Sequence, residues 1–207
     1  MATLLPELLV PDSAAWRAWL AEHHAASPGV RLVLHKKGGE VTSLAYAQAV
    51  EDALCFGWID GQASPRDEGS YCVRVTPRTK TSKWSAVNVG RVERLSDAGL
   101  MQPAGLAAVA AARADGRWDA AYVGAATAEP PPAFLDAIEA NPAAREAYAR
   151  LNSTNRYAIY YRIQSVKREE TRVRKAGEFA EMLARGQAPY AQDGFEVAPT
   201  RRGRTGA

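Results

Sequence analysis

Two rhythms of apolar residues run along the chain. As far as Thr76, short stretches of period two stand between helical ones; from Ser82 onward apolar positions recur every three or four residues. Asp12 can cap a first helix reaching about His24, with Trp16, Leu20 and His23 or Trp19 on one side, before Pro28-Gly29 breaks it. Val30, Leu32 and Leu34 then alternate with Arg31, Val33 and His35, which predicts a strand ending at Lys36-Lys37-Gly38-Gly39. Ser43 can cap a second helix whose buried stripe is Leu44, Ala47, Val50 and Leu54, with Gly57 as its stop. Residues 58–63 and 70–76, joined by the turn-rich 64–69, predict an antiparallel hairpin.

The second rhythm predicts helices at about 82–97, 103–115, 132–140, 142–151, 154–166 and 169–185. Gly99, Gly116 and Gly186 act as stops, Pro103 and Pro142 as first-turn residues and Thr154 as a cap. The expected fold is α+β: a small antiparallel sheet with two helices in the N-terminal part, then a mostly helical C-terminal half. The expected boundaries are a head with its following helices at 1–123, a linker at 124–132 around Pro130-Pro131-Pro132, and a helical region at 133–186. A mobile tail at 187–207 would end in Arg201-Arg202-Gly203-Arg204.

Composition narrows the classes. Of 207 residues 47% are hydrophobic and 24% charged, which suits a folded globular chain and excludes a disordered one. Twenty-six Lys and Arg against 23 Asp and Glu leave +3, too little to announce a nucleic-acid or membrane protein. The apolar stretches fall far short of the roughly 20 residues of a membrane span, and residues 1–11 lack the basic start and apolar core of a secretory signal. A cytoplasmic setting is expected. Cys55 and Cys72 form no CxxC pair and His23, His24 and His35 fall near neither. No metal or cofactor signature, P-loop, GxGxxG, GxSxG or HExxH is present.

Chemistry concentrates in two neighbouring segments. Glu51, Asp52 and Asp60 come first; Arg74, Arg78, Lys80, Lys83 and Arg91 follow, with no carboxylate between Tyr71 and Val92. Alternation puts Trp58, Asp60 and Gln62 on one strand face and Cys72, Arg74 and Thr76 on one face of the next, with Tyr71, Val73 and Val75 on the opposite, core-covering face. If the turn sets Asp60 across from Arg74, an Asp–Arg pair flanked by Trp58 results. Such a pair can be solvated surface, a structural bridge or part of a ligand site. A helix beginning near Ser82 or Ser85 would offer free N–H groups to an anion beside Arg78, Lys80 and Lys83, although Ser82 also reads as a simple cap. Cys55 and Cys72 read as buried structural thiols and His35 as an exposed strand end. Arginines and lysines between Arg156 and Arg185, interleaved with Tyr157, Tyr160 and Tyr161, can mark nucleic-acid binding; Glu169, Glu170, Glu178 and Glu181 at helical spacing mark a solvated face instead.

These residues carry a resemblance. Ala15-Trp16-Arg17-Ala18-Trp19-Leu20, Glu51 with Ala53-Leu54-Cys55-Phe56-Gly57-Trp58-Ile59-Asp60, Thr76-Pro77-Arg78, Ser82 with Trp84-Ser85 and Asn88, and Arg91-Val92-Glu93-Arg94-Leu95 resemble the YdeI/OmpD-associated family, also labelled bacteriocin-protection proteins. Met101 with Pro103-Ala104-Gly105-Leu106, Asp115-Gly116-Arg117-Trp118-Asp119, and Asn155-Arg156 with Lys167 extend it over about 12–189. The resemblance implies a cytoplasmic bacterial protein tied to survival of antimicrobial peptides or envelope stress, and it transfers no catalytic residues. Val89-Gly90 departs from the charged helix formers common there, which predicts a loose or closely approached turn.

Three functions are therefore ranked. The first is a binding protein for a small anionic or amphipathic ligand, with a pocket of Glu51, Trp58, Asp60, Arg74, Arg78, Trp84, Ser85 and Asn88. The second is a hydrolase or transferase using Asp60 or Glu51 as general base, set back by the arginines that would hold either carboxylate charged. The third is nucleic-acid binding through the helical half.

Overall fold

The computed structural model describes residues 5–166 and 168–199. It divides after Ala121 into two compact units, each with its own core.

The first unit is built on a four-stranded sheet. A short strand β1 (Glu7–Leu8) leads to helix α1 (Ser13–His23), strand β2 (Val30–His35), helix α2 (Tyr46–Cys55), strands β3 (Trp58–Pro65) and β4 (Ser70–Pro77), and helices α3 (Ala86–Asp97) and α4 (Pro103–Ala114). The strand order is β1-β2-β4-β3. The β3–β4 hairpin and the β2–β4 pair are antiparallel, but β1 joins β2 in parallel, so the sheet is mixed and not purely antiparallel. Two residues of strand carry no readable alternation, which is why β1 escapes a sequence reading.

Val30, Leu32, Leu34, Val73 and Val75 enter the core with Trp16, Leu20 and the α2 residues Ala49, Val50, Ala53 and Leu54. Asp12 caps α1 by accepting from Ala15 N–H at 2.8 Å. α2 begins later than Ser43 suggests: Ser43 donates to Pro11 O and Ala45 stands at the helix start without a side-chain cap. Ala47 is exposed and Ala49 takes its place in the stripe.

The second unit is helical. α5 (Pro132–Glu139), α6 (Pro142–Ala149), α7 (Ser153–Gln164) and α8 (Glu169–Ala184) enclose Phe134, Ile138, Ile159, Ile163 and Leu183. Asn152, not Thr154, caps α7, accepting from Asn155 N–H. In the stretch from Gln187, where the sequence shows little periodicity, strands β5 (Gln187–Ala188) and β6 (Glu196–Val197) pair in parallel and Ala188 is fully buried. Fully buried Asn155 secures this segment by donating to Tyr190 O and Gln192 Oε1 and accepting from Tyr190 N–H. Arg201, Arg202 and Arg204, like Lys167, lie outside the described residues.

Candidate functional site

The hairpin sorts the predicted site residues onto two sides of the sheet. Asp60 stands opposite Val75, not Arg74. The reason lies in Trp58, which is drawn into the core, 1% exposed, donating its indole N–H to His24 O at 3.1 Å and meeting the edge of Trp19. Alternate residues of a strand share a face, so Asp60 follows Trp58 to the helix-covered side. There Tyr46, the first residue of α2, donates its hydroxyl to Asp60 Oδ2 at 2.6 Å. Burial, and then this contact, push the Tyr46 phenol well above its usual range. The crevice beneath them, lined by Leu32, Val50 and Val75 among others, is too narrow for a water molecule. Arg74 faces the other way, exposed and paired in register with Arg31, its stem lying against Gly61.

Glu51 and Asn88 meet along the α2–α3 contact. Glu51 Oε1 lies 2.9 Å from Arg94 Nη2 and 3.9 Å from Arg91 Nε, while Arg91 Nη1 donates to buried Asn88 Oδ1 at 2.8 Å. Both proposed general bases are thus already engaged, Glu51 by guanidinium groups and Asp60 by a phenol. Tyr46 and Arg94 are not among the candidate site residues and Arg91 enters only as one of the segment's cations; the i, i+3 spacing of the two arginines points to a shared helix face.

The remaining three residues form a third group. α3 starts at Ala86, capped by Ser85, whose Oγ accepts from Asn88 N–H at 3.2 Å. Ser82 instead closes a loop turn, its Oγ accepting from Thr79 N–H. Arg78 lies flat on Trp84, 3.5 Å from the ring centroid, a geometry in which a guanidinium is attracted to the ring face. Its Nη1 donates to Lys83 O at 3.2 Å. Buried Trp84 packs at 59° against Trp118, and Arg113 lies over the far ring. The Trp84 indole N–H has no acceptor among the described residues. Arg117, held by Asp115, donates from Nη1 to Thr79 O and Ser82 O. Trp118 and Arg117 lie in the Asp115–Asp119 string, which sequence alone left without a role.

This loop has a directional consequence. In a planar trans peptide the carbonyl and the following N–H point opposite ways. The carbonyls of Thr79, Ser82 and Lys83 turn toward Arg117 and Arg78, so the N–H groups of Lys80, Lys83 and Trp84 turn away from them.

The eight predicted residues therefore disperse. Trp58 is core, Arg74 is on the opposite sheet face, Asp60 joins Tyr46, Glu51 and Asn88 join Arg91, and Arg78, Trp84 and Ser85 share the β4–α3 connection. Residues 127–186 match the family described as Bacteriocin-protection, YdeI or OmpD-Associated. The resemblance read from the sequence thus holds over the second unit. Of the strings that carry the resemblance, only Asn155-Arg156 and Lys167 fall within that matched stretch. Asn155 and Arg156 have structural work there: Arg156 donates to Leu151 O, Tyr148 O and Ala149 O, closing the end of α6, and stacks on Tyr148. Residues 8–108, which hold the Cys55–Asp60 and Thr76–Asn88 strings, match a domain of unknown function (DUF8412). No curated protein and no solved structure matches the chain. No described helix is long and apolar enough to cross a membrane.

Proposed function

We propose that the chain is a cytoplasmic binding protein for a small oxyanion, taken by the loop between β4 and α3, and that this binding serves the protective role named in the family description of its second unit. One observation carries the reading. Arg78 takes Lys83 O and Arg117 takes Thr79 O and Ser82 O, so the N–H groups of Lys80 and Trp84 turn away from those guanidinium groups in the stretch that leads into the α3 first turn. A preorganised set of N–H donors binds an anion without spending ordering entropy at the moment of capture. The Trp84 indole N–H adds support: a buried donor without an acceptor costs about 1–3 kcal/mol, and such groups call for a local explanation. The cytoplasmic setting draws support from Cys55 and Cys72, both free and buried.

The test is a titration of the full chain with inorganic phosphate, sulfate and acetate at fixed ionic strength, following backbone amide shifts. Saturable shifts at Lys80 and Trp84 that vanish in Lys80→Gln are expected, with Asp60→Asn unchanged. Non-saturating shifts spread over the surface, or shifts that survive Lys80→Gln, would sink the proposal.

A further inference from the structure

A second candidate site lies wholly within the second unit. A cleft of about 380 Å³ opens where the start of α5, the end of α7 and the first turn of α8 meet. That volume falls in the range of small-molecule pockets, roughly 300–1,000 Å³. Pro131, Pro132, Ala133 and Ile163 supply apolar wall, and Gln164, Glu169 and Arg172 supply the polar groups.

The polar groups are arranged. Arg172 donates from Nε to Val166 O at 2.9 Å, which fixes the guanidinium plane, and from Nη1 to Glu169 Oε2 at 3.2 Å. Its Nη2 makes no hydrogen bond to the described residues, nor does the exposed Gln164 carboxamide. The cleft therefore offers a guanidinium and a carboxylate 3.2 Å apart, with an amide in the same lining. A simple anion would be attracted by Arg172 and repelled by Glu169. A cation would meet the reverse. A ligand carrying both charges on adjacent atoms satisfies both, and its remaining part meets proline, alanine and isoleucine.

We propose that this cleft binds a free α-amino acid with an apolar side chain, its carboxylate on Arg172 Nη2 and the Gln164 amide, its ammonium on Glu169, and its side chain against Pro131, Pro132 and Ile163. Only a free amino acid carries both charges on one carbon; a peptide separates them by its length. The site is independent of the β4–α3 loop, and either can fail without the other.

Calorimetry on the full chain tests it, with leucine and phenylalanine as probes and N-acetyl-leucine and leucinamide as controls. Saturable binding of leucine is expected, weakened about tenfold in Glu169→Gln and in Gln164→Ala, as for the loss of a hydrogen bond to a charged group. The blocked controls should bind about tenfold more weakly to the unsubstituted chain, and Glu169→Gln should leave N-acetyl-leucine unaffected, a readout that general loss of folding does not produce. Equal affinity for leucine and N-acetyl-leucine overturns the zwitterion assignment. Absence of saturable binding by either amino acid overturns the site.

Discussion

Asp52 is the buried charged side chain of the first unit, 3% exposed, and it is satisfied from three sides: Ser13 Oγ at 2.7 Å, Arg17 Nη1 at 3.3 Å and Gln48 Nε2 at 3.4 Å. Arg17 in turn donates to Leu100 O and lies over Phe56, so one carboxylate ties α1 to α2 and to the loop after α3. Asp52→Asn keeps the volume but removes the charge that holds Arg17. It should cost about 2–3 kcal/mol, read as a lowered urea midpoint with an unchanged slope. Tyr46 gives a pH prediction. Its phenol is raised in the folded chain by burial and by Asp60, whereas an unfolded tyrosine ionises near 10. A raised acid contributes stability that is complete below the unfolded value and is lost as pH climbs past it. Stability should therefore fall from about pH 10 upward, and Tyr46→Phe should make that fall shallower. An identical slope in the two proteins would show that the Tyr46–Asp60 contact has no weight. Asp60 also marks the limit of legibility at this scale. Its charge and Trp58's aromatic bulk were both visible in the sequence, but only the core's claim on Trp58 decides which face Asp60 takes.

Between elements, α4 lies close against the end of α2. A Cβ placed on Gly105 would lie 2.9 Å from Leu54 O and nearer still to Cys55 O, and one on Gly57 would lie 2.8 Å from Ala104 O. Gln102 N–H donates to Cys55 O across the same contact. Backbone carbonyls cannot step aside as a side-chain tip can, so Gly105→Ala should cost about 1–3 kcal/mol or more, seen as a lowered Tm. Gly90 is the opposite case. An added Cβ meets nothing within 4 Å and its φ is ordinary for a helix, so the loose or closely approached turn predicted from Val89-Gly90 is absent and α3 runs unbroken. Gly90→Ala should raise stability by about 0.5–1 kcal/mol, and a loss would mean that something unseen packs on that face. The elements themselves were largely readable, because period two in β2 and β4 and period three to four beyond Ser82 follow directly from burial on one face. Their starts were less so. Ser43, Ser82 and Thr154 all carry capping hydroxyls, yet Ala45, Ser85 and Asn152 stand at the observed starts, because a hydroxyl can equally serve a loop turn or a distant carbonyl.

At the level of the whole molecule, the division into two cores has an unusually clean optical signature. Trp16, Trp19, Trp58, Trp84 and Trp118 are all in the first unit, whereas six of the eight tyrosines, from Tyr122 to Tyr190, are in the second. Indole emission therefore reports only the first core, whereas far-ultraviolet circular dichroism reads both units about equally, with 45 helical residues in α1–α4 and 44 in α5–α8. Phe134 is fully buried at the centre of the second core, edge-on to Tyr148 and tilted against Tyr160, whose hydroxyls hydrogen-bond to each other. Removing its ring in Phe134→Ala leaves a cavity and should cost about 3–5 kcal/mol within that unit. Because the buried clusters share no residue, the expected result is a dichroism transition that splits, the share of α5–α8 moving to lower denaturant, with the tryptophan transition left in place. A tryptophan transition that moves by the same amount would mean that the two cores unfold as one, since a two-state chain gives coincident transitions by every probe. The corresponding substitution in the first core, Trp16→Phe, should shift the tryptophan transition together with the α1–α4 share of the dichroism, for it removes an indole that donates to Ala49 O and stacks on Trp19.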